Sequence, residues 1–214
     1  MGLHEEGIQT AKEALEILER LGEIKLQGRC LSNLAWLYHD DDQLDAAEEA
    51  AFRAMDLLSK KGDQYWVCEA HRTLGIIYRS KGETEKAIHH YELALGLASS
   101  SDWHNQLHRI HFSLAKLFFD GDRFDKAQAH VEHAKTYAFS HSYHLGHARR
   151  LQAELWYRQG LFEEARSEAL RAADVYERLG VAIPLEGCRE LLREIENGRT
   201  GSQDEPSDDS EFLV

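Results

Sequence analysis

Small residues recur along this chain on a 40-residue period. Gly7, Ala47, Ala87, Ala127 and Ala165 stand 40, 40, 40 and 38 residues apart, and Ala14, Ala54, Ala94, Ala134 and Ala172 repeat the same spacings. An independent column, Ala35, Gly75, Ala115 and Ala153, keeps the period, and three residues after each member comes an aromatic, at Tyr38, Tyr78, Phe118 and Trp156. Columns held in one register over four spans mark an array of like units, each burying its apolar face against the next. Small side chains let two helices approach closely, and the aromatic fills the space beside the approach.

The unit is a pair of helices. Pro184 and Pro206 are the two prolines among 214 residues, and Ala, Leu, Glu and Arg are abundant, so the composition favours helix throughout. "HDDDQ" (39–43), "SKGE" (80–83), "FDGDR" (119–123) and "RQGLF" (158–162) break each unit in the middle, while "KKGDQ" (60–64), "SSSDW" (99–103) and "SHSYH" (140–144) separate units. Gly and Asp suit helix ends, and connections this short force neighbouring helices to run antiparallel. The expected organisation is a second helix over 3–22 lacking its first, because residues 5–23 parallel 163–181, then repeats over 24–60, 64–100, 104–140 and 144–180. A natural domain rarely starts on half a unit, which reads as the C-terminal piece of a longer protein. Pro184 suits the first turn of a capping helix over 184–197, with Leu191, Leu192 and Ile195 covering the last apolar edge, and 198–214 has the composition of a disordered acidic tail.

Residues 72–98, "RTLGIIYRSKGETEKAIHHYELALGLA", resemble a tetratricopeptide repeat: Leu74-Gly75, Tyr78, Gly82, Ala87, Tyr91 and Ala94 sit at that family's signature spacing. The other units depart from it. Asp42 replaces the expected glycine, Gly121 comes one place early, and Gln152 stands for the usual leucine. The long period is similar to that of kinesin light chains, spindle-orientation adaptors and the sensor arms of signalling ATPases. The resemblance implies an all-α, right-handed α-solenoid of antiparallel helix pairs whose first helices line a concave side. It also implies that a carboxylate clamp of Lys and Asn is missing, since Ser32 and Trp36 hold the corresponding positions.

On those first helices, a stripe at i, i+3, i+7 and i+10 is free of the packing columns. It reads Arg29, Ser32, Trp36, His39; Glu69, Arg72, Ile76, Arg79; Arg109, Phe112, Lys116, Phe119; and His147, Arg150, Glu154, Tyr157. Six bases against two acids oppose the sign of the whole chain. Interleaved with aromatics, they suit a peptide or protein segment that carries carboxylates or phosphates beside an apolar anchor. The tail, with five carboxylates next to Phe212, Leu213 and Val214, has that pattern itself, which raises self-association through the tail. A regulatory arm contacting another domain of its own chain, in a larger ATPase or transcription regulator, is the alternative.

Other classes find less support. Of the formal net charge of −13, residues 197–214 hold −4 and the remainder −9, so nucleic acid would meet net repulsion. No apolar run is long enough to span a bilayer and no signal-peptide core is present, pointing to a cytoplasmic protein without a membrane partner. Cys30, Cys68 and Cys188 read as packing residues. The 13 histidines include clusters at His104, His108, His111, at His130, His133 and at His141, His144, His147, which leave a metal binder or metal-dependent hydrolase as a third reading. No phosphate loop, nucleophile elbow or distinctive carboxylate pair is found, so neither catalysis nor a cofactor is expected.

Overall fold

A computed structural model describes the backbone of residues 2–139 and 142–203, and the side chains of 4–139 and 142–198. Among the described residues all regular structure is helical: α1 (Gly2–Leu21), α2 (Ile24–Asp40), α3 (Leu44–Lys60), α4 (Gln64–Ser80), α5 (Thr84–Ser100), α6 (His104–Asp120), α7 (Phe124–Tyr137), α8 (Tyr143–Arg158), α9 (Phe162–Leu179) and α10 (Ala182–Gln203). They form two compact units, Met1–Leu117 and Phe118–Val214, with the boundary inside α6. Each unit is a stack of antiparallel helix pairs, the arrangement of a helical repeat solenoid.

The connections explain the period. From α2 to α6 each helix has 17 residues and is followed by three that do not continue it. A left-handed residue sits in these turns at Gly22, Asp42, Gly62, Gly82, Asp102, Asp122, Gly160 and Gly180. The next residue then donates its N–H five positions back, as Gln43 does to the Tyr38 carbonyl at 2.8 Å and Glu83 to Tyr78 at 2.9 Å, closing the helix end. Gly121 lies one place before the left-handed position, so Asp122 takes that conformation with φ of 53°.

In unit 1 the small columns are core. Ala35, Ala47, Ala54, Ala87, Ala94 and Ala115 are fully buried, and Tyr78 is buried as well. Gly75 is required by its neighbour: a Cβ there would stand 2.5 Å from the Tyr91 ring. Helices α3 and α4, in adjacent repeats, are joined by Lys81 on Asp45 at 2.6 Å and on Glu48, which also accepts from the Tyr78 hydroxyl at 2.6 Å. Helix α1 buries Ile8 and Leu15 but leaves Ile17 and Leu21 exposed.

Unit 2 packs in the same register through Ala127, Ala134, Ala153, Ala165 and Ala172. Gln152, in place of leucine, is fully buried and satisfied because its amide exchanges hydrogen bonds with that of Gln128 on α7. Glu168 is also buried, clasped by Arg149 at 2.8 Å and Arg171 at 3.1 Å. Helix α7 ends at Tyr137, short of the expected 140, and α8 is one residue shorter than the earlier first helices; the longer link over 138–142 offsets part of this, and α7 and α9 start 38 residues apart, at Phe124 and Phe162. Helix α10 begins two residues before Pro184, where a missing N–H costs nothing. It runs on to Gln203, which corrects both the cap boundary at 197 and the disorder expected over 198–203. The tail-docking idea concerns 204–214 and lies outside the described residues.

Helix α10 is a cap for a reason visible in the register. Glu186 and Arg193 stand where earlier first helices carry Gly28 or Gly146 and Ala35 or Ala153, and Glu186 pairs with Arg189 and Arg193 at 3.2 and 3.1 Å. Charge at those positions turns a packing face into a solvated one.

Candidate peptide-binding face

The stripe on the first helices resolves differently in each unit. In unit 1, Glu69 is buried and takes two hydrogen bonds from Arg72, at 2.6 and 3.2 Å, and two from Arg109, both at 2.8 Å. Burial alone would push the Glu69 carboxyl up, but the two guanidiniums more than offset it and hold it below the ordinary range. Arg72 is itself 4% exposed and lies over the Trp36 ring at 5.2 Å. Arg29 pairs with Asp63 at 2.9 Å and lies over Trp66 at 5.4 Å.

These positions correct the expectation that the basic stripe projects freely from the packing. Ser32, Glu69, Arg72 and Ile76 are buried. Ser32 donates back to the Gly28 carbonyl at 3.0 Å, and His39 bridges to Ser80 at 2.9 Å. Arg72→Glu would therefore strain the fold, because it would set a second carboxylate against the buried Glu69. Arg29, Trp36, Arg79, Arg109, Phe112 and Lys116 remain partly accessible.

Between α2, α4 and α6 lies a cleft of about 250 Å3, lined by Ser32, Asn33, Trp36, Tyr65, Trp66, Glu69, Gln106 and Arg109. Four stripe residues meet there. Asn33, Tyr65, Trp66 and Gln106 were missed. The signal for Trp66 and Gln106 was present, since each stands three residues before a stripe member and therefore one turn earlier on the same face. Tyr65 also meets Trp103 edge-on at 5.2 Å, extending the aromatic wall. A larger hollow of about 640 Å3, between α1 and the end of α2, has a mixed rim of Glu5, Glu6, Lys12 and Asp41 and a single aromatic, Tyr38, over which Lys12 lies at 5.6 Å.

In unit 2, Arg150 bonds Glu154 at 2.8 Å and runs across Gly187 of α10, where a Cβ would stand 2.9 Å from its guanidinium. A shallower cleft of about 280 Å3 includes Phe119, Arg150, Glu154, Tyr157, Arg158, Glu190 and Glu194. Phe119 carries Arg158 at 5.6 Å, and Tyr157 meets Phe162 at 6.0 Å. His147 is wedged against Tyr143 at 4.3 Å, and burial, then Arg150 and His144, hold its pKa down to about 4.

The remaining chemistry is structural. Cys68 and Cys188 are fully buried, which pushes their thiols up to about 12 and about 11. Among the described residues no group of three or more His, Cys, Asp or Glu side chains could hold a metal ion. His108 and His111 are buried in α6, and His130 stacks on Phe118 at 5.4 Å. A pair that the sequence did not single out, His71 and His90, faces across α4 and α5 with Nδ1 atoms 3.0 Å apart. Among the described residues no helix is long and apolar enough to cross a membrane.

Residues 69–101 match the tetratricopeptide repeat model, which covers the repeat whose small columns, left-handed Gly82 and Gly75–Tyr91 contact are described above. This segment of the chain is a tetratricopeptide repeat. No curated protein matches its sequence. Solved structures share its fold at low identity. BtubC (BKLC) from P. vanneervenii superposes with a TM-score of 0.69 at 19% identity, covering 99% of this chain and 98% of that one. A Rap protein complexed with competence and sporulation factor gives 0.66 at 15% identity, over 94% of this chain and 60% of that one. A kinesin light chain-like repeat protein from Podospora anserina gives 0.52 at 14% identity, over 85% and 95%. The tetratricopeptide fold generally mediates protein–protein interaction.

Proposed function

We propose that this chain is a non-enzymatic interaction module that binds an extended peptide or protein segment along its first helices, with the aromatic cleft of unit 1 as the anchor. The observation that carries this reading is the convergence of three first helices on one cleft, walled by Trp36, Tyr65 and Trp66. Rigid aromatics supply contact area at small entropic cost, and such residues dominate binding energy where they line a desolvated pocket. Around the cleft stand three guanidiniums, of Arg29, Arg72 and Arg109, against the two carboxylates of Asp63 and Glu69. The surplus of positive charge favours a segment with acidic or phosphorylated residues flanking its anchor. The solved Rap protein complexed with a factor supports the use of this fold for binding.

Affinity capture from a lysate of the source cells tests it, comparing the intact chain with a Trp36→Ala, Trp66→Ala variant and with an Arg29→Glu variant. The aromatic variant should lose captured partners, and Arg29→Glu should weaken capture most at low salt. Lys86→Glu with Lys126→Glu, away from the cleft, is the control. Equal capture by all of them would exclude the cleft as the binding face.

A further inference from the structure

We infer that the hollow between α1 and the end of α2 is a docking site for the lysine or arginine side chain of a partner protein. It is separate from the aromatic cleft, opposite to it in charge preference, and does not rest on the reading of that cleft.

The adjoining repeat shows what such a place holds. Between α3 and the end of α4, the chain's own Lys81 is held by Asp45 at 2.6 Å and by Glu48, which also accepts from the Tyr78 hydroxyl at 2.6 Å. The junction encloses that lysine, whose side chain is only 15% exposed. One period earlier, Tyr78 corresponds to Tyr38, Asp45 to Glu5, Glu48 to Ile8 and Lys81 to Asp41. The aromatic and the first acid are kept, while the internal cation is replaced by a carboxylate. What remains is an open space of about 640 Å3, lined by Glu5, Glu6 and Asp41 against a single base, Lys12.

The surroundings fix the kind of cation. Lys12 lies over the Tyr38 ring at 5.6 Å, Asp41 accepts from the Gln43 amide at 2.7 Å, and among the described residues no base pairs with Glu5, Glu6 or Asp41. Three carboxylates against one ammonium leave the hollow negative, so an anion is repelled and a cation drawn in. A bare metal ion does not suit it, because among the described residues no group of three or more His, Cys, Asp or Glu side chains could hold one. The cation must bring its own N–H donors, as an ammonium or a guanidinium does. Tyr38 and Ile8, which also line the hollow, offer apolar surface to the aliphatic stem of such a side chain.

The test uses the full chain and three probes: the peptide acetyl-Ala-Leu-Lys-Leu-Ala amide and its counterparts with norleucine or glutamate at the centre. Binding is read from backbone amide resonances in two-dimensional NMR spectra at low salt, with magnesium chloride as a bare-cation control. The lysine peptide should shift signals within residues 5–12 and 38–43, the two segments that line the hollow. It should bind roughly tenfold more tightly than the norleucine peptide, and about 0.5 M sodium chloride should remove most of that preference. Asp41→Lys copies the Lys81 arrangement into the hollow and should weaken the lysine peptide roughly tenfold or more. Glu5→Gln with Glu6→Gln is the second variant if the first perturbs the spectrum broadly, and it should weaken binding in the same direction. Asp56→Asn, on α3 and paired with Lys60, is the control and should change nothing. Equal binding of the lysine and norleucine peptides, shifts confined to other residues, no shift at all, the same shifts from magnesium chloride, or undiminished binding by the two hollow variants would each overturn the inference.

Discussion

Units 1 and 2 are built from the same columns, yet their first helices present opposite chemistry. In unit 1 the Arg72–Glu69–Arg109 cluster locks two arginines inward, and the aromatic rings around it form the cleft. In unit 2, Arg150 is taken by Glu154, and α10 adds Glu190 and Glu194 to the same hollow. A basic stripe in the sequence therefore becomes part of an aromatic cleft in one unit and a charge-balanced surface in the other. The difference teaches that availability of a charge depends on which partner the next helix supplies. Arg72 is spent on the fold, whereas Arg150 is only half-committed.

The largest expected contrast lies in those arginines. Arg72→Glu should destabilise unit 1 by about 3–5 kcal/mol, because it leaves buried like charges side by side. Arg150→Glu, at the partly exposed site in unit 2, should cost no more than about 1 kcal/mol. Denaturant midpoints followed by probes within each unit would show it, and equal losses would remove the distinction.

Next come the two glycine contacts, which should make the units alike again. Gly75→Ala drives a Cβ to 2.5 Å from Tyr91, and Gly146→Ala drives one to 2.7 Å from Tyr176. Each should cost about 1–3 kcal/mol by overpacking. Ala87→Leu belongs to the same class, since Ala87 is fully buried. Unchanged melting in any of them would refute the close approach at that column.

Acid should weaken both units by a smaller amount. His90 in unit 1 is held down to about 4 by burial, then by His71 and His89, with Glu48 opposing, and His147 in unit 2 is also held near 4. The unfolded chain takes up these protons near pH 6.5 while the folded chain refuses them until about pH 4. Stability should thus be complete above pH 6.5, fall as pH drops towards 4, and fall no further from these groups below it. Allowing for screening at half-buried sites, about 1–2 kcal/mol per histidine is expected. His90→Phe and His147→Phe should each flatten its share of the slope, and an unchanged slope would show that the ring protonates freely in the fold.

The smallest effect should be a gain. Asp42 and Asp122 hold left-handed backbone with φ of 59° and 53°, one in each unit. Asp42→Gly should stabilise by up to about 1 kcal/mol, and Asp122→Gly by less, because Asp122 also pairs with Arg158 at 2.6 Å. A loss at Asp42 would mean that its side chain does something beyond closing the turn.

Most of the helix boundaries were legible because helix ends and small columns are local signals, repeated often enough to reinforce one another. The shortened α7 and the extended α10 escaped, since the composition after Asn197 offers helix no local support. The lining of the cleft was legible in part. Trp36, Arg109 and Glu69 were found by spacing, whereas Gln106, Tyr65 and Trp66 sit one turn outside the stripe as it was drawn.

By itself, then, the sequence determined that this is a repeat of helix pairs, which residues form its core columns, and where a left-handed residue must end each helix. Those features follow from backbone sterics and from the approach distance of small side chains, and both are readable within one unit. Only the tertiary structure decided which charges are free. Arg109 meets Glu69 from 40 residues away, on the next first helix, at 2.8 Å. That encounter depends on how consecutive pairs stack, and a side chain long enough to turn towards solvent or towards its neighbour does not reveal its choice in one dimension.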